Sequence, residues 1–258
     1  MRTYVVDSFT EHPFSGNPAG VVLLDAPAAE PWMQSVAAEM RHAETAFVVL
    51  DGTEPKPLRW FTPTTEVELC GHATLAAAHA LGGDQRFATR SGELICTDSG
   101  DGWIGMDFPA SAADPVEPPS DLAAALPGAT VEDVRAAPGR LLVRVGAAAE
   151  VRGLEPDLAR IATWPYRGVV VTAAGDRDGV DFVSRFFAPA SGIPEDPVTG
   201  SAHCQLAPYW AAELGRSGVE LVGEQASPRG GFVRATPLGD RVALRGRAVT
   251  VLDGELRV

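Results

Sequence analysis

Short apolar runs bounded by turn residues open the chain. Thr3–Val6 is one and Val21–Leu24 another, separated by Glu11–Gly20, which holds two Pro and two Gly. Runs of this length between turn signals predict buried strands. Over Pro31–Arg41 the period changes, with apolar Trp32, Val36, Ala37 and Met40 at the three-and-four spacing of an amphipathic helix. Strand patterns return at Ala46–Leu50 and Leu58–Phe61. Gly71–Leu81 is different again, small and apolar on nearly every side through Ala73, Leu75, Ala76, Ala77, Ala78, Ala80 and Leu81. A helix without a polar face has to be covered all round, so this one is expected at the centre of a domain.

Beyond Gly82-Gly83, strands are expected near Arg86–Thr89, Glu93–Asp98 and Trp103–Phe108. Pro109–Pro119 then shifts to Ala, Pro and acidic residues and reads as a boundary. The second half offers a helix at Asp121–Ala125 and strands at Leu141–Val145, Gly168–Thr172 and Asp181–Phe187. A second alanine-rich helix follows at Ser201–Leu214, and short strands close the chain near Gly231–Thr236, Arg241–Arg245 and Ala248–Leu252. Apart from Asp121–Ala125 and Leu141–Val145, the region about 110–165 matches no pattern that places it. A weak internal repeat links the halves: Phe61-Thr-Pro-Thr leads to Cys70-Gly71-His72 and a helix, and Phe187-Ala-Pro-Ala leads to Thr199-Gly200-Ser201 and a helix. Two lobes are therefore expected, 1–112 (completed by a C-terminal strand at about 241–258) and 113–240.

Composition narrows the function. At 258 residues, 45% apolar and 21% charged, the chain can bury a core, and a net charge of −13 opposes nucleic acid and anionic membrane surfaces as partners. Cys70, Cys96 and Cys204 make no disulfide framework and no zinc spacing. With no apolar run near ~18 residues and no secretory pattern, a cytoplasmic protein acting on a small molecule is the expectation.

The chemistry gathers at the two helix starts. Gly71-His72-Ala73-Thr74 and Gly200-Ser201-Ala202 each present unpaired backbone N–H groups and the positive end of a helix dipole, which suit a carboxylate; ordinary capping is the plainer use. Glu44 stands just before an apolar strand, where a carboxyl group can take or give a proton near neutral pH, or simply end a helix. Asp196 lies in a loop stiffened by Pro194 and Pro197 next to the second helix start, as site acid or turn acid. His72 can donate to a substrate or be a satisfied structural histidine. The Cys70 thiol sits at a helix start, but its counterpart is Thr199, so a racemase with one thiol on each face of a carbon lacks its second thiol. Cys70 reads as a small packing residue.

Longer stretches carry a resemblance. Asp7-Ser-Phe-Thr with Phe14-Ser-Gly-Asn-Pro-Ala-Gly-Val, then Glu44-Thr-Ala-Phe, Arg59-Trp-Phe-Thr-Pro-Thr and Val67-Glu-Leu-Cys-Gly-His-Ala-Thr-Leu-Ala resemble the PhzF-like (phenazine-biosynthesis) family in order. So do Gly192-Ile-Pro-Glu-Asp-Pro-Val-Thr-Gly-Ser-Ala-His and Gln225-Ala-Ser-Pro-Arg229-Gly-Gly. The resemblance implies an α+β, diaminopimelate-epimerase-like fold of two pseudo-symmetric lobes, each a curved mixed sheet around a central helix, with the active site between them. It implies an isomerase working without metal or organic cofactor, as a homodimer. Glu44 would be the general acid/base, and His72 and Asp196 would bind substrate and assist proton movement. Gly71, Ala73, Gly200 and Ser201 would hold the substrate carboxylate. The chain departs from the family pattern at Arg41-His42-Ala43, where many relatives carry a small polar residue beside the glutamate. Epimerase, dehydratase, carbon–carbon hydrolase and non-catalytic binding protein stay open as alternatives.

Overall fold

The structure, a computed structural model, describes residues 1–257. Its contacts divide the chain into two compact units, one of Met1–Asp107 with the segment returning at Arg245, the other of Phe108–Leu244.

The first unit runs β1 (Arg2–Ser8), β2 (Asn17–Leu24), α1 (Glu30–Met40), β3 (Glu44–Val49), β4 (Lys56–Phe61), β5 (Glu66–Val67), α2 (Gly71–Leu81), β6 (Gln85–Thr89), β7 (Gly92–Asp98) and β8 (Ile104–Pro109). β1 pairs antiparallel with β2, β2 parallel with β3, and β3 antiparallel with β4. β4 pairs antiparallel with β5 and parallel with β6, and β6 antiparallel with β7. A parallel pair needs a crossover, and α1 supplies the one joining β2 to β3. Strand β2 starts four residues before its apolar run, because Asn17–Gly20 already pair with Ser8–Val5. Side-chain hydrophobicity fades there but the backbone ladder does not.

Both faces of β2 and β3 are covered, which is why they read as continuous apolar runs. Val22, Leu24, Phe47, Val49 and Phe61 pack with Met33, Val36 and Ala37 of α1, and Phe47 meets Phe61 edge-on at 5.6 Å between ring centroids. On the other face α2 packs against β1, β2 and β3, with Ala73, Leu75, Ala76 and Ala77 fully buried. The all-round apolar pattern of Gly71–Leu81 has this cause.

The second unit runs β9 (Asp114–Pro115), α3 (Leu122–Ala125), β10 (Val131–Ala137), β11 (Arg140–Val145), α4 (Ala148–Arg152), α5 (Leu158–Ile161), β12 (Gly168–Ala174), β13 (Phe182–Ala188), β14 (Ile193–Asp196), α6 (Gly200–Glu213), β15 (Leu221–Gln225), β16 (Gly231–Leu238) and β17 (Arg241–Gly246). Its pairing repeats that of the first unit strand for strand: β10/β11 antiparallel, β11/β12 parallel, β12/β13 antiparallel, β13/β14 antiparallel, β13/β15 parallel and β15/β16 antiparallel. β18 (Ala248–Glu255) flanks β1, and β9 flanks β10, both antiparallel. The duplication reaches single side chains. Arg59 on β4 grips Glu66 on β5 with two bonds of 2.6 Å and lies over the Phe61 ring. Arg185 on β13 grips Glu195 on β14 at 2.7 and 2.8 Å and lies over Phe187.

The region about 110–165, most of which the pattern left unplaced, is folded. Leu141, Val143, Val145, Val169, Val171, Val183 and Phe187 pack with residues of α3, α4 and α5. Leu142, Val170 and Phe182 point the other way, onto Ala202, Leu206, Tyr209 and Trp210 of α6. Pattern reading missed β10, α4, α5, β14 and β15, each too short or too polar to show a period. Pro109–Pro119 serves as more than a boundary. Pro208, inside α6, has no N–H for the carbonyl of Cys204, and that carbonyl accepts instead from Ser111 N at 3.0 Å. Among the described residues no helix is long and apolar enough to cross a membrane, and all three cysteines are buried thiols outside any disulfide.

Candidate active site

Helix α1 ends at Arg41 in the left-handed region (φ 56°), its N–H bonded to the carbonyl of Ala37, and three residues later Glu44 opens β3 beside Ala19. Its side chain is 14% exposed. Cys70 is the extended residue capping α2, and its side chain makes no cap bond, so the first N–H groups of α2, those of Gly71, His72 and Ala73, lack intrahelical acceptors. His72 is buried. Its Nε2 lies 3.3 Å from Glu44 Oε2 without the alignment of a hydrogen bond, and its Nδ1 lies 3.5 Å from Cys70 Sγ. Ser8 Oγ donates to the carbonyl of His72 at 2.8 Å and Thr74 Oγ1 to that of Cys70 at 2.6 Å, fixing this first turn.

Burial pushes the His72 pKa down to about 3, and the neighbouring His42 adds to the effect. The ring is therefore neutral near pH 7, and it meets Glu44 as an imidazole rather than as the cation of an ion pair. Glu44, Cys70 and His72 each offer a donor atom within 4.8 Å of the others, so they are also the residues that could hold a cation. His72, however, turns one nitrogen to each neighbour, the arrangement of a chain rather than of a cage.

In the second unit Asp196 ends β14 and is buried. Glu195 beside it is committed to Arg185, which separates the structural acid of the pair from the candidate. Thr199 Oγ1 donates to the Asp196 carboxylate. Gln225, fully buried, clamps the loop: its Oε1 accepts from Thr199 N at 2.8 Å, and its Nε2 donates to the Asp196 carbonyl at 2.8 Å and to Thr199 Oγ1 at 3.2 Å. Ser227 Oγ adds a bond to the Pro197 carbonyl at 2.7 Å. Thr199 stands where Cys70 stands in the first unit, extended and capping α6 without a side-chain bond. His203 donates from Nδ1 to the carbonyl of Thr199 at 2.9 Å, the counterpart of the Thr74 bond. Its own pKa is pushed by burial to about 4. Arg140 donates to the carbonyl and hydroxyl of Ser201 at 2.8 and 3.0 Å.

Glu44 and His72 thus come together with Gly71 and Ala73 at the start of α2, and Asp196 lies with Gly200 and Ser201 at the start of α6. Sequence reasoning assigned no role to Gln225, Arg140 or Ser8. Gln225 opens the Gln225–Gly231 motif, but a lone glutamine 26 residues from the backbone it holds carries no local signal.

A model of the phenazine biosynthesis-like protein family matches residues 6–254. The chain belongs to that family. A PhzF-family protein of Enterococcus faecalis shares this PhzF-like structure with a TM-score of 0.93 at 37% identity, over 100% of this chain and 99% of the other. An uncharacterized isomerase of Pseudomonas aeruginosa is 47% identical over 265 residues, 100% of this chain and 99% of its own. A probable proline racemase of Agrobacterium radiobacter, 11% identical with a TM-score of 0.62 over 100% of this chain and 93% of its own, has a similar fold. The α+β PhzF-like fold of two similar halves, expected from the motifs, is the fold found.

Proposed function

We propose that this PhzF-like protein is an isomerase that moves a proton between carbons of a small carboxylate-bearing metabolite, with Glu44 taking and returning the proton. The observation that carries this reading is a mostly buried carboxylate 3.3 Å from a neutral imidazole at the open start of α2. Burial keeps competing water away from the carboxylate and strengthens its interactions, and a helix start supplies fixed N–H dipoles for developing negative charge. Gly71, His72 and Ala73 offer such donors; removing one comparable donor from an enzyme site costs about 3 kcal/mol of barrier. Gly200 and Ser201 open α6 in the same way and are assigned to anion binding, with Asp196 assisting proton movement. Thr199 in the place of a second thiol weighs against two-thiol exchange, and the name of the 47%-identical relative, an isomerase, favours isomerisation over hydrolysis.

The test is proton exchange in heavy water with a panel of small unsaturated or hydroxylated carboxylates, followed by NMR for wild type and Glu44→Gln. Deuterium is expected to enter one substrate carbon with wild type, at a rate reduced at least about a hundredfold in the variant. The variant should unfold within a few degrees of wild type, since it removes a charge that is costly to bury. Equal exchange by both proteins would remove Glu44 from the central role.

A further inference from the structure

We propose that Cys70 is a positioning residue: its thiol donates to Nδ1 of His72 and thereby holds the tautomer whose proton sits on Nε2, the nitrogen beside Glu44. The inference rests on the acid/base reading of Glu44 and gives the thiol, which first reads as packing, a part in it.

A neutral imidazole carries one N–H, so its two nitrogens cannot both donate or both accept. With the proton on Nδ1, that N–H would point at sulfur, a weak acceptor. The bare Nε2 would then face the lone pairs of Glu44 Oε2 at 3.3 Å, a repulsive contact when Glu44 is ionised. With the proton on Nε2 both contacts become favourable: S–H to Nδ1 across 3.5 Å and Nε2–H towards Oε2. Cys70 is only 7% exposed and His72 6%, so water does not readily supply the missing donor at Nδ1. The backbone holds the partners in place independently of the thiol, through Thr74 on the carbonyl of Cys70 and Ser8 on that of His72. The same geometry serves the proposed reaction, because an Nε2–H beside Oε2 stabilises the carboxylate form of Glu44, the form that accepts a proton from carbon. No proton leaves the thiol in this role.

The experiment reads the tautomer directly. Protein labelled with 15N-histidine is compared by long-range 1H–15N correlation as wild type, Cys70→Ala, Cys70→Ser and His72→Asn, the last to assign the signal. Wild type should show a protonated Nε2 and an acceptor-type Nδ1 near pH 7. Cys70→Ala should shift His72 toward a mixture or toward Nδ1–H, and Cys70→Ser, which restores a donor, should return it. Exchange turnover is expected to fall about tenfold in Cys70→Ala at little-changed KM and to recover in Cys70→Ser. A wild-type proton on Nδ1, or a tautomer unchanged in Cys70→Ala, overturns the proposal even if that variant is less stable. Should Cys70→Ala fail to fold, Cys70→Val, which also lacks a donor, takes its place. Failure of the Glu44 reading would show separately, as unimpaired exchange by Glu44→Gln with the tautomer as stated.

Discussion

Two histidines in this protein are neutral for a reason that a titration can measure. His72 and His203 have folded pKa values of about 3 and about 4, below the ordinary value near 6.5. Between those limits the unfolded chain binds protons that the folded chain refuses. The stability they provide is thus complete above pH 6.5 and lost progressively as pH falls toward 4 and 3. Each should cost about 2 kcal/mol of stability between pH 7 and pH 5. In His203→Asn, where an amide can still donate to the Thr199 carbonyl, denaturant unfolding should show a correspondingly smaller loss over that range; an identical loss would place the effect elsewhere. The histidines were visible in the sequence as residue types, but their state was not. Neutrality is set by burial, and for His72 also by His42, neither of which composition reveals.

At the scale of elements, helix α6 and the loop before it depend on strand β15 through Gln225. Gln225→Leu keeps the volume but removes the acceptor of the buried Thr199 N–H and a donor to the Asp196 carbonyl. A loss of about 3 kcal/mol is expected in equilibrium unfolding, together with slower exchange, since Asp196 and Thr199 lose their fixed relation. If the variant unfolds like wild type, the clamp is not what orders the loop. The start of α6 was legible because Thr199-Gly200-Ser201 echoes Cys70-Gly71-His72 and because apolar periodicity follows. The clamp was not legible, since its three bonds span 26 and 29 residues and leave no local pattern. The Arg59–Glu66 and Arg185–Glu195 pairs were also missed, although they extend the repeat, because charged residues carry no hydrophobic period.

At the scale of the whole molecule, the chain's last strand belongs to its first unit. β18 pairs with β1 from Ser8↔Ala248 to Arg2↔Glu255, so a chain ending at Gly246 would expose the edge of β1. An exposed apolar edge invites association. The truncated protein should aggregate or lose amide protection across Thr3–Asp7 in hydrogen exchange while β10–β13 stay protected; unchanged protection at β1 would show that β18 is dispensable. The sequence by itself determined the class of fold, the two apolar helices, the duplication and the residue types at each helix start. These are local matters: periodicity records which faces are buried, and a glycine before a helix records where N–H groups stand open. Only the tertiary structure decided that His72 lies between Cys70 and Glu44, that Glu195 is tied to arginine while Asp196 is held by threonine, and that α3, α4 and α5 pack over β10–β13. Each depends on contacts between distant segments, or on side-chain direction at a few ångströms, and neither is written in the order of residues along the chain.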